Sequence, residues 1–211
     1  MNRVRYLVAG FVATLLTACG TPSVNPLYLE SDELVQDDAL IGVWRASGDT
    51  ATYEVRGTPE TDHYEVVIRT GADEDEPEEW TLEMRLIDLP SGRWADFQPA
   101  DDEREAIRDR WGPMFVSTHL FARIELEDES LKLWMLRPSW MREALNDDED
   151  PLRTVELDDA ILIVDTTERL RSYLDRIAKD EDAFDAMTLR RQQNREADEP
   201  GGEQPDGSNG G

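Results

Sequence analysis

Residues 27–193 read as one mainly β domain of the α+β class, an antiparallel sheet with a C-terminal helix packed on it. Three observations carry this reading. Apolar residues alternate with polar ones over short segments, turn residues punctuate those segments, and the clearest helical spacing comes late, at Leu170, Tyr173, Leu174 and Ile177.

Taken in order, Ile41-Gly42-Val43-Trp44, Tyr53 with Val55, and Tyr64-Val66-Ile68 each predict a strand. Ser47-Gly48-Asp49 and Gly57-Thr58-Pro59 predict the turns between them. The plainest alternation places Trp80, Leu82, Met84 and Leu86 on one face and Thr81, Glu83 and Arg85 on the other. Pro90-Ser91-Gly92 then turns the chain into a returning strand from Trp94 to Phe97, a hairpin. A second pair follows, with Leu120, Ala122, Ile124 and Leu126 running up to Glu127-Asp128-Glu129, and Leu131, Leu133 and Met135 coming back. Asp101 to Trp111 predicts a short exposed helix between the pairs, and Pro138 to Leu145 a second one, stopped by Asn146-Asp147-Asp148. A last strand at Ile161 to Val164 leads into the amphipathic helix, which Asp165 and Glu168 open as a capping box.

The N-terminus has a different character. Met1-Asn2-Arg3-Val4-Arg5 is basic, Tyr6 to Ala18 is apolar, and Gly20-Thr21-Pro22-Ser23 ends the apolar run well short of the roughly 20 residues that a bilayer requires. Leu16-Thr17-Ala18-Cys19 resembles the lipobox of bacterial lipoproteins. That resemblance implies an 18-residue signal peptide, cleavage before Cys19, acyl chains on the Cys19 thiol and amine, and anchoring in a membrane by those chains. Gly20 stands where an Asp commonly retains such proteins in the inner membrane, so the resemblance implies the periplasmic face of the outer membrane. Residues 19–26, with two prolines, read as a lipidated tether, and 194–211, rich in Gly, Glu, Asp and Pro, as a disordered tail.

Gly42-Val43-Trp44 on the first of about eight short strands, with a helix after the last, looks like a lipocalin or related calycin barrel. In that family the indole closes the barrel floor and the helix docks outside. The alternative is an antiparallel sheet with flanking helices.

Composition narrows the chemistry. The formal net charge is −26, and the leader carries Arg3 and Arg5 but no acid, so the mature chain is more negative still. Phosphate backbones and anionic headgroups repel such a surface, which excludes nucleic acid as a partner. Cys19 is the sole cysteine, so the domain has no internal disulfide, and acylation would remove its thiol from catalysis. His63 and His119 lie in no metal-binding spacing, and there is no phosphate-binding glycine loop or Gly-x-Ser-x-Gly elbow. The runs Asp73-Glu74-Asp75-Glu76 and Asp147-Asp148-Glu149-Asp150 lack the spacing of a calcium loop and read as solvated tips. No cofactor and no catalytic residue is expected.

Among six tryptophans, Trp44 and Trp80 are the candidates to line a cavity for an apolar ligand. The functional expectation is a non-enzymatic lipid-anchored envelope lipoprotein that binds an apolar small ligand or an envelope protein. The alternatives are an assembly accessory with a filled core and a carboxylate-dependent envelope hydrolase.

Overall fold

The computed structural model describes residues 20–57, 62–71, 78–111, 116–157 and 160–192. The leader, Cys19, the acidic run at 73–76 and the tail expected at 194–211 lie outside the described residues.

Seven strands follow the chain as an antiparallel meander: β1 (Gly42–Ala46), β2 (Thr52–Gly57), β3 (Tyr64–Thr70), β4 (Glu78–Leu89), β5 (Gly92–Pro99), β6 (Leu120–Glu127) and β7 (Ser130–Leu136). After an excursion, β10 (Phe184–Arg191) lies between β7 and β1 and closes an eight-stranded barrel. Trp44 pairs with Arg191 on one side and Tyr53 on the other, so no edge is left unpaired at the join. Helix α1 (Asp101–Trp111) links β5 to β6. The excursion contains α2 (Pro138–Asp147), a separate hairpin of β8 (Thr154–Leu157) with β9 (Ala160–Ile163), and α3 (Thr167–Ile177).

The alternation read from β4 holds. Leu82, Met84 and Leu86 join the barrel interior, where Trp44, Val55, Tyr64, Val66, Ala95, Ala122, Ile124, Leu131, Leu133 and Leu189 meet them. A second core lies outside the barrel. There α3 sets Leu170, Tyr173, Leu174 and Ile177 against Ile87, Trp94, Phe121 and Phe184 of the barrel wall and Ile161 and Ile163 of the hairpin. Elsewhere the wall is polar, with Glu54 ion-paired to Arg56 and Arg69, and Glu83 to Arg85. An apolar inside and a charged outside is the reverse of a barrel whose wall faces lipid.

Three expectations are corrected. The strand at Ile161 to Val164 is not a barrel strand, because Ile161 and Ile163 are held beneath α3. The eighth barrel strand is β10, and the amphipathic helix therefore precedes it. In β10 the faces alternate regularly, Phe184 toward the outer core and Met187 and Leu189 inward, but Asp185 and Arg191 share the inward-facing register and leave too few apolar residues for the alternation to show in sequence. Finally, Thr166 rather than Asp165 caps α3, accepting a hydrogen bond from the Arg169 amide. The Asp165 carboxylate instead accepts from the Arg153 and Thr166 amides and the Arg153 guanidinium.

The expected tether at 19–26 also differs wherever it is described. From Gly20 the chain is strapped to the domain: Thr21 donates to the Leu136 carbonyl, Ser23 and His119 exchange backbone hydrogen bonds, and Val24 and Ile163 join the strap to β9. Thr21 and Ser23 are fully buried. Short polar side chains and prolines reveal little about backbone pairing, and here the backbone makes the attachment.

Candidate functional site at the barrel ends

The two ends of the barrel differ in a way that follows from the sequence at each. One end is a floor. A short 3-10 turn, Asp38–Leu40, precedes β1 and inserts Leu40 beneath Trp44. The Trp44 indole is wholly buried and donates to the Leu40 carbonyl at 2.9 Å. Arg191 from β10 lays its guanidinium 4.3 Å from the centre of that ring and donates to the carbonyls of Ala39 and Ile41. Gly42 explains itself here, since its φ is +144° and a Cβ would stand 2.6 Å from Arg191 Nη1. The Gly-x-Trp pattern thus fixes the floor, as the resemblance to lipocalin-like barrels implies.

The other end is a mouth, formed where β1 ends, β2 begins, β3 ends, β4 begins and β7 ends. Inward residues there are only half-buried: Tyr53, Ile68, Phe97, Met135 and Met187 pack against the interior cluster without being covered. Trp80 faces the same way opposite Ile68, at the outer limit of β4, and is half-buried. The two candidate tryptophans therefore lie apart. Trp44 is sealed into the floor and Trp80 belongs to the mouth. Interior side chains occupy the floor half, so Trp44 has no free face for a ligand. Surface grooves of about 480 Å³ beside Gly42 and Arg56 and about 400 Å³ beside Leu40 and Arg93 lie at the floor end.

Gly20 lies at the mouth. A Cβ built on it would be 3.6 Å from Met135 Cβ and 3.7 Å from Leu120 Cδ2, ordinary packing distance from the ends of β7 and β6. Cys19, one peptide bond earlier, lies outside the described residues. The mouth's surroundings are acidic. Asp49 lies in the β1–β2 turn, Glu78 and Glu79 open β4, and Asp101, Asp102 and Glu103 open α1. Burial pushes the Glu103 carboxyl upward, and neighbouring Asp102 adds to the shift.

His119 and Asp96 meet under the strap, a pairing that sequence reasoning missed because 22 residues separate them. His119 Nδ1 lies 2.7 Å from one Asp96 oxygen, and the other accepts from the Leu27 amide at 2.6 Å. Both side chains are buried, and the Tyr28 ring meets His119 edge-on, with Arg85 stacked over Tyr28. Asp96 thus satisfies a strap amide as well as the imidazole, and His119 exchanges backbone bonds with Ser23. Their geometry holds the N-terminal segment to the wall. His63 lies beside Asp62 at the start of β3.

The acidic run at 147–150 is not simply solvated. Asp148 pairs with Arg176 and Asp150 with Arg169, both on α3, and hydrogen bonds from these guanidinium groups lower both carboxyl pKa values. Among the described residues, no cluster of three or more His, Cys, Asp or Glu side chains could hold a metal ion, and no helix is long and apolar enough to cross a membrane. No family model, curated protein or solved structure matches this chain.

Proposed function

We propose that this chain is a non-enzymatic, lipid-anchored envelope lipoprotein whose barrel takes up an apolar group at its mouth. In this reading the acyl chains on Cys19 hold it at the periplasmic face of the outer membrane. The observation that carries the reading is the crowding of half-buried apolar side chains at the mouth, Tyr53, Ile68, Trp80, Phe97, Met135 and Met187, against wholly buried Trp44 and, among the described interior residues, only Val35 and Leu126 half-buried at the floor end. Half-covered aromatic and methionine side chains suit an apolar ligand, since covering them removes more apolar surface from water. The filled floor limits the ligand to what a shallow site accepts, such as the end of an acyl chain. The His119–Asp96 couple is engaged in holding the strap, which leaves it a structural role.

The test is a titration of residues 20–193 with an apolar fluorophore such as N-phenylnaphthylamine. Saturable binding, weakened at least tenfold by Ile68→Glu and unchanged by Glu127→Gln at the opposite end, is the expected result. Binding insensitive to Ile68→Glu, or none, would contradict it. A second reading, an assembly accessory that binds an envelope protein, is favoured by the packed interior of the floor half. It predicts no small-molecule binding and a stable protein complex instead.

A further inference from the structure

We propose that the mouth of the barrel is the membrane-facing surface, held against the bilayer with no spacer, so that any apolar ligand passes directly from lipid into the mouth. This rests on the reading of Cys19 as the acylated residue. Acyl chains on Cys19 start one peptide bond from Gly20, and consecutive Cα atoms are about 3.8 Å apart. Gly20 is buried against Met135 and Leu120, and Thr21 is locked to Leu136 by two hydrogen bonds. The strap continues to Leu27 without slack, through Ser23 to His119, Val24 to Ile163 and Leu27 to Asp96. Gly20, the residue that follows the lipid attachment point, is thus fixed at the mouth, whereas the floor lies a strand length away, on the order of 20 Å for a six- or seven-residue strand.

Apolarity selects the mouth over the neighbouring flank. Phe97, Trp80, Ile68 and Met187 are half-covered there, and Val116, on the segment leading into β6, is 60% exposed. The barrel's outer wall, by contrast, carries the Glu54–Arg56 and Glu54–Arg69 ion pairs, and at the mouth itself Arg137 pairs with Asp185. The acids around the mouth add a condition. They oppose contact with anionic lipid, so the surface that accepts the mouth is a zwitterionic leaflet.

The experiment uses the full chain, matured and purified from a lipoprotein-processing bacterium, and reconstituted in vesicles of brominated or ordinary phosphatidylcholine. Two exposed positions are labelled with a small fluorophore through Ser47→Cys, at the mouth, or Glu127→Cys, at the floor. Intact mass is measured first. With the acyl mass present, bromine is expected to quench the label at position 47 at least threefold more than the label at 127. Equal quenching, or the reverse order, on an acylated protein overturns the orientation and leaves the anchor standing. A mature mass without acyl chains overturns both.

Discussion

Arg191 seals the floor from a position far along the chain. Its guanidinium covers the Trp44 ring and donates to the carbonyls of Ala39 and Ile41 in the turn into β1. Arg191→Ala should therefore lower stability by about 1–3 kcal/mol and shift the emission of Trp44 to the red, measured by urea denaturation followed by fluorescence. Gly42→Ala should destabilise comparably, since the new Cβ meets both a positive φ and the Arg191 fork. The glycine and the tryptophan of this device were legible as Gly-x-Trp. The arginine was not, because nothing local to position 191 marks a residue that packs across the join of a closed barrel. Tryptophans show the same limit. Alternation placed Trp80 inward, but how deeply it is covered depends on how far each strand extends. Trp94, wholly buried under α3 with Phe121 and Phe184 on either side, is the stronger anchor. Trp94→Ala should cost about 3–5 kcal/mol, whereas half-buried Trp80→Ala should cost clearly less in the same denaturation assay.

The strap and α3 show how elements that look independent in sequence are fastened to one another. Asp165, Asn25, Thr167 and Arg171 join the strap to the start of α3: Asn25 donates to the Asp165 carbonyl, Thr167 to the Pro26 carbonyl and Arg171 to the Leu27 carbonyl. On the barrel side, Asp96 receives the Leu27 amide. Asp96→Ala leaves that buried donor unpaired, so amide exchange at Leu27 and Ser23 should accelerate by at least tenfold while the interior strands keep their protection. Exchange rates that change uniformly across the barrel would show that the strap is not a separate unit. The α3 stripe was legible from its spacing, and so were β1 to β7, where alternation is clean. The strap and β10 were not, since backbone bonds make the strap's attachment and the charged and small residues of β10 leave too few apolar positions to show its alternation. Acid sensitivity arises at the β2–β3 ladder. Hydrogen bonds from Arg56, then from Arg69, lower the Glu54 carboxyl from its ordinary 4.5 to about 2. A depressed carboxyl contributes stability above its unfolded value and loses that contribution as pH falls toward the folded one, here between about pH 4.5 and 2. Glu54→Gln should flatten the acid limb of the stability profile in that window and leave a smaller change near pH 7. Because Glu54 is partly exposed, the effect is modest.

Charge is a property of the chain taken together. It holds 48 acids against 22 lysines and arginines, and although the arginines are widely ion-paired, the excess of acid remains. Added salt screens that excess, with a screening length falling from about 8 Å at physiological strength to about 3 Å at 1 M. Individual surface pairs each contribute only about 0–1 kcal/mol to lose. The melting temperature should therefore rise between those conditions, and a flat or falling value would show the acids already compensated. The domain as a barrel was readable from the meander and from Gly42 and Trp44. What the sequence concealed was the direction of the molecule, that the strap beginning at Gly20 meets the end opposite Trp44, because this depends on strand register and on backbone bonds. That polarity, a sealed floor and an apolar mouth, is tested most directly by native mass spectrometry of residues 20–193 produced in the periplasm. A bound acyl-lipid mass that is lost on denaturation and absent from Ile68→Glu is the predicted result. A uniformly unliganded mass, in a protein whose narrow native charge-state distribution confirms that it is folded, would contradict it.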